Sequence, residues 1–158
     1  MSRKPRNFSW IEEGKLAAFG WPSTVENVRY LVDVGIRHLV TLSPEKPPPI
    51  YTFPEISWTE IKIREFHPPT ISQINKFVGV CQKAFELGQA VGVHCWMGRG
   101  RTGTMVACYY IKFKGMQPLE AVSTVQRARP GSVETYTQEA AVMDYYAYLV
   151  QRGLLEYD

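Results

Sequence analysis

Two periodicities divide this chain. Short runs of strand character, KLAAF at 15–19, IRHLVTL at 36–42, WTEIKI at 58–63 and AVGVHC at 90–95, predict strands. Between and after them, apolar positions recur at helical spacing behind start signals. Ser23 with Glu26 reads as a capping box opening a helix to about Val34, with Gly35 as its stop. Thr70 with Gln73 opens a second, whose stripe is Ile74, Phe77, Val78, Cys81 and Phe85 and which ends at Gly88. Thr135 with Gln138 opens the last, carrying Ala141, Val142, Tyr145, Tyr148 and Leu149. Two more helices fill the gap, from about Thr102 to Lys114 before Gly115, and from Pro118 to about Ala128 before Pro130 and Gly131.

A strand-rich first part with interleaved helices and an all-helical last third predicts an α/β domain with a central sheet flanked by helices. At 158 residues, 1–158 is expected to form a single domain. Hydrophobic residues at 45% and charged residues at 21% are the composition of a globular protein, which argues against disorder. The net charge of +3 is modest and its basic residues are dispersed, so no nucleic-acid partner is expected, while a small anion would be welcome. The three cysteines, Cys81, Cys95 and Cys108, form no C-x-x-C pair, and no apolar leader follows the start; a reduced, cytoplasmic setting, extending to the nucleus for so small a chain, is the expectation. The run TMVACYYI is too short to span a bilayer, Ser2 and the closing LEYD match no lipidation signal, and no membrane partner is expected. SPEKPPPIY at 43–51 reads as a rigid surface connection between strands, and SRKPR at the start as a solvated basic tail.

The chemistry concentrates in VGVHCWMGRGRTGT at 91–104. AVGVHC is a buried strand and RTGTMVACYYIKFK the helix it feeds, so the loop Trp96, Met97, Gly98, Arg99 and Gly100 is a tight strand-to-helix turn. Its glycines let successive amides point inward, an anion nest completed by the positive end of the helix. Arg101 adds a planar fork for two oxygens of a phosphate. Cys95 lies at the bottom of that cradle, where these groups favour the thiolate, the nucleophilic form. The Thr102 hydroxyl is placed to donate to the sulfur and ease its later departure, and His94 to fix the loop by hydrogen bonding. Trp96 and Met97 either line the rim or pack beneath it, and Arg99 is expected to turn outward. Cys81 and Cys108 fall in apolar helical patterns and read as core residues. The absence of a G-K-[ST] ending and of G-x-G-x-x-G spacing counts against a nucleotide loop.

HCWMGRGRTG resembles the phosphate-binding loop of cysteine-dependent protein tyrosine phosphatases, and the short chain is similar to their atypical dual-specificity group. The resemblance extends to NFSWIEEGKLA, VGIRHLVTL and RPGSVETYTQE, nearly the whole chain. It implies a protein tyrosine phosphatase-like α/β fold with a central mixed sheet, no metal and hydrolysis through a phosphocysteine; phosphorylated protein substrates, no cofactor and a monomer are the accompanying expectations.

Such hydrolysis needs an acid for the leaving oxygen. IREFHPPT, just past WTEIKI, supplies Glu65 where the family generally carries an aspartate; the chemistry is the same and the reach differs by a methylene. Glu65 is expected to act as acid in the first step and base in the second, with His67 a weaker donor candidate. Glu134 falls where the family orients the attacking water, and Gln138 serves its capping box. Two other readings stay open: a phosphate-binding module without turnover, suggested by glutamate at 65, and a phosphatase of phosphoinositides or RNA 5′ ends.

Overall fold

The computed structural model describes residues 3–155, so Ser2 and residues 156–158, the lipidation-signal positions considered above, lie outside the described residues. Its elements are β1 (Ser9–Glu12), β2 (Leu16–Phe19), α1 (Val25–Asp33), β3 (Ile36–Thr41), β4 (Ser57–Glu60), α2 (Ile71–Glu86), β5 (Ala90–His94), α3 (Gly100–Lys114), α4 (Pro118–Ala128) and α5 (Tyr136–Gln151). They form one five-stranded mixed sheet in the order β1-β2-β5-β3-β4, parallel except for the β1–β2 pair. The expected α/β architecture is the observed one.

Strand alternation explains the layering. Leu16, Ala18, Val91 and Val93 face a core shared with α2, α3, α4 and α5, whereas Ala17, Phe19, Ile36 and Leu39 face Val28 and Leu31 of α1. Both faces are covered, so β2 and β5 are buried at every position. Helix α3 runs through the larger core and is buried from Gly100 to Ile111, which is why its sequence lacks a polar face.

Three details depart from the sequence expectation. Strand β1 was not anticipated: it is an edge strand, half-buried at all four positions, so SWIE carries no alternation to detect. Helix α1 is capped by Thr24 with Asn27, one residue beyond Ser23 and Glu26; Asn27 adds a bond to the Arg3 carbonyl, fixing that register. Helix α3 begins at Gly100, two residues before Thr102, because the loop amides already enter the helix there. The capping boxes at Thr70 and Thr135 form as expected.

Strand β4 ends at Glu60, yet the chain stays extended beyond it: the Ile61 and Ile63 amides donate to Thr41 and Leu42 carbonyls, and both side chains are buried. This carries Arg64 and Glu65 to the carboxyl end of the sheet, the end at which β5 delivers Cys95.

Candidate active site

Cys95 follows β5 directly and is 3% exposed. The Thr102 hydroxyl, in the first turn of α3, donates to its Sγ at 3.0 Å, which stabilises negative charge on the sulfur. The N-cap of α3, Arg99, makes no side-chain capping bond. Between strand and helix, Gly98 sits at φ +73°, where a Cβ would lie 2.6 Å from the Phe19 carbonyl carbon. Only glycine allows both the turn and this approach. Burial pushes the Cys81 and Cys108 thiols up, so both remain protonated core residues.

Beneath the loop the polar groups form a directed chain. Trp58 Nε1–H donates to Thr41 Oγ1 at 2.8 Å, Thr41 Oγ1 lies 2.7 Å from His94 Nε2, and His94 Nδ1 lies 3.2 Å from the Cys95 carbonyl. A carbonyl only accepts, so Nδ1 carries the proton and the Thr41 hydroxyl donates to Nε2. Burial drives the His94 pKa down to about 4, with the Arg101 charge adding to the effect against the opposing bond to Cys95, and the ring is neutral at physiological pH. The ring also stacks on Phe19, centroids 5.8 Å apart. His94 Nδ1–H therefore donates to the Cys95 carbonyl at the start of the loop.

Arg129 was missed by the sequence reading and is central to the loop. It is 2% exposed and donates to the Gly98 carbonyl at 2.7 Å, the Asn7 carbonyl at 2.7 Å, Ser9 Oγ at 2.6 Å and the Ala18 carbonyl at 3.1 Å. Gripping the Gly98 carbonyl from outside orients that peptide in the turn. Burial lowers its pKa to about 10, opposed by the charges of Cys95 and Tyr110, so it stays cationic.

Arg101 is 3% exposed and held from behind. Its Nη1 donates to the Ile63 carbonyl at 2.9 Å and to Glu45 Oε2 at 3.4 Å, and its Nη2 to Glu45 Oε1 at 2.8 Å. These bonds use one side of the guanidinium and leave Nε–H and the second Nη2 hydrogen, the pair that matches two oxygens of a phosphate. Burial alone would raise the Glu45 pKa; the Arg101 bond, a backbone bond of its own and the Arg101 and Lys46 charges outweigh it and hold the carboxyl below its ordinary value. Glu45 lies in the proline-rich stretch read from sequence as a connection only.

The rim is carried by two loops. Glu65 and Glu134 line the same narrow cleft as Cys95, Met97, Arg99, Gly100 and Arg101. Phe66, at φ +66°, turns the chain immediately after Glu65, and Thr135 Oγ1 donates to its carbonyl at 3.4 Å. Gln138 Oε1 accepts from the Glu134 and Thr135 amides while its Nε2 reaches the His67 carbonyl at 3.4 Å, joining the two loops. The Glu134 carboxylate lies over Gly100. His67 instead faces the Glu65 carbonyl through Nδ1 and does not line the cleft. Met97 lines the cleft, Trp96, 38% exposed, is not among its lining residues, and Arg99 is exposed with its stem along Gly131. Among the described residues no group of three or more His, Cys, Asp or Glu is placed to hold a metal ion, and no helix is long and apolar enough to cross a membrane.

With this geometry in place, the likeness to known proteins is specific. The phosphatidylglycerophosphate phosphatase PTPMT1 of Arabidopsis thaliana is 31% identical over 136 residues, covering 83% of this chain and 40% of its own length. The human dual specificity protein phosphatase CDC14C is 39% identical over 75 residues, covering 48% of this chain and 16% of its own. The chain thus spans less than half the length of either relative. Two solved structures share the fold: PTPMT1 in complex with PI(5)P, at TM-score 0.81 and 21% identity over 93% of this chain and 99% of that one, and human DUSP28, at TM-score 0.78 and 16% identity over 90% and 98%. The family model described as "PTP-SAK: Swiss Army Knife protein, DSP-PTPase phosphatase domain" matches residues 5–142, and the chain accordingly belongs to that cysteine-based phosphatase domain family.

Proposed function

We propose that the chain is a cysteine-dependent phosphoric monoester hydrolase acting on phosphotyrosine, and on phosphoserine and phosphothreonine, in proteins. The observation that carries this reading is the Thr102 hydroxyl on Cys95 Sγ at 3.0 Å, in a cleft that Glu65, Arg101 and Glu134 also line. Within the family, NFSWIEEGKLA, VGVHC and RPGSVETYTQE resemble dual-specificity protein phosphatase 23.

In the proposed reaction the Cys95 thiolate attacks phosphorus while the loop amides and the open edge of Arg101 bind the equatorial oxygens. The bond from phosphorus to the leaving oxygen breaks, and Glu65 gives that oxygen its proton. Water then attacks the phosphocysteine, Glu65 takes its proton back, Glu134 orients the water, and the sulfur leaves as a thiolate stabilised by Thr102. Inorganic phosphate is the second product.

A phosphorylated lipid is the second reading, favoured by the 31% identity to the Arabidopsis phosphatidylglycerophosphate phosphatase. Hydrolysis of p-nitrophenyl phosphate with reductant and without added metal, by the unmutated protein and by Cys95→Ser, tests the chemistry. Turnover that falls at least about 10⁴-fold in the variant is expected. Binding of a phosphopeptide without turnover by either form would replace the enzyme with a phosphate-reading module. Comparing phosphopeptides with phosphatidylglycerophosphate in vesicles then separates the two substrate classes.

A further inference from the structure

Beside the cleft, across the Trp96–Met97 segment of the loop, lies a separate cavity of about 380 Å³. Lys4, Arg6, Trp21, Ser23, Asn27 and Trp96 line it, so its wall carries two cations, hydrogen-bonding groups and no carboxylate. Trp96 is the residue after Cys95, and Arg6 Nη1 lies 3.6 Å from Sδ of Met97, which lines the catalytic cleft. A ridge one or two residues wide therefore separates the cavity from the cleft.

The walls are built in advance. The Trp21 amide donates to the Trp96 carbonyl at 2.8 Å and the Gly20 amide to the Arg6 carbonyl at 2.8 Å, tying three separate chain segments together. Gly20 makes this approach possible, since a Cβ there would meet the Trp96 carbonyl oxygen at 2.8 Å. Lys46 lies over both indoles, 4.7 Å from the Trp21 ring centre and 5.0 Å from that of Trp96, and Trp21 Nε1–H binds the Pro47 carbonyl at 3.1 Å. The aromatic wall is thereby locked, and a third cation is added at its edge. An aromatic wall held in this way loses little ordering free energy when a ligand enters beside it.

We propose that this cavity is a second anion subsite that takes an acidic side chain or second phosphate flanking the phosphotyrosine of a protein substrate; the inference rests on the proposed phosphatase function and narrows its substrate class. An extended peptide advances about 3.3–3.6 Å per residue, so a group one to three residues from the scissile phosphate clears the ridge and reaches Lys4 and Arg6. The side-by-side arrangement along the surface suits an extended chain, whose backbone crosses the exposed Trp96 edge.

The experiment uses Cys95→Ser, which leaves phosphopeptides intact, and reads Trp fluorescence. Phosphotyrosine peptides flanked by glutamate or phosphoserine are compared with the alanine-flanked peptide, and each is repeated in the added background Lys4→Glu with Arg6→Glu. The expected result is roughly five- to tenfold tighter binding of the acidic peptides, lost or inverted in the charge-reversed protein. The milder pair Lys4→Gln with Arg6→Gln must move the preference in the same direction. Equal affinities, or a preference that survives charge reversal, overturn the subsite. A charge-dependent affinity for phosphoinositide bisphosphate vesicles without discrimination among peptides overturns the peptide in favour of a lipid headgroup. Failure of the unmutated protein to turn over any phosphopeptide is a different result, refuting the enzyme and leaving the binding comparison intact.

Discussion

Beneath Cys95 the supporting groups Arg129, His94 and Thr41 are buried and mostly bonded at 2.6–3.2 Å, whereas above it Glu65 and Glu134 stand exposed on loops whose cross-tethers measure 3.4 Å. The floor is built by the same packing that builds the domain, and the rim is hung on it. A change in the floor is expected to cost stability and activity together; a change in the rim, activity alone.

The sharpest test of that division is Glu65→Gln. It should lower kcat about 10²–10⁴-fold on phosphotyrosine peptides and less on p-nitrophenyl phosphate, whose leaving group needs little protonation, while the urea midpoint stays put. An unchanged leaving-group dependence removes Glu65 from the reaction. On the floor, Arg129→Met strands the carbonyls of Gly98, Asn7 and Ala18, and should cost about 3 kcal/mol in urea unfolding along with most of the activity. Full activity at reduced stability would break the comparison.

His94 gives the floor a pH signature. Its folded pKa, about 4, lies below the ordinary value of 6.5, so between those limits the unfolded chain binds a proton that the folded one refuses. Stability is complete above about pH 6.5 and falls as the pH drops towards 4, by a contribution on the order of 3 kcal/mol. Urea midpoints measured across that window should show the slope, and His94→Asn should flatten it. The smallest expected effect belongs to the brace behind Arg101: Glu45→Gln keeps a hydrogen bond to it but loses the charge, and should raise KM by up to about tenfold with no change in Tm.

What was legible follows the same division, with one exception. Cys95, Thr102 and the glycines between them are neighbours in sequence, and the chemistry forces their types and spacing, so the cradle was readable from one stretch. Glu65 could be placed beside the cradle because a strand pattern and a helix start bracket its loop. Arg129 and Glu45 gave no such signal. One lies 31 residues from the carbonyl it grips and the other 56 from the arginine it braces, and an arginine before a proline or a glutamate among prolines is ordinary on a surface. The helix start at Ser23 was misplaced because Ser23–Glu26 and Thr24–Asn27 overlap, and only the bond from Asn27 to Arg3 separates them.

Arg129 joins residues 122 and 120 positions earlier, at Asn7 and Ser9, to the turn that follows Cys95. On the ribosome, a nascent chain that has already exposed Cys95, Arg101 and Thr102 still lacks the clasp on its cradle. The segment carrying Arg129 and Gln138 must emerge and fold back onto Asn7 and Ser9 before the cradle closes. Closure of the cradle therefore waits on residues made well after the motif itself, and a chain released between the two, with its whole motif intact, would lack the clasp.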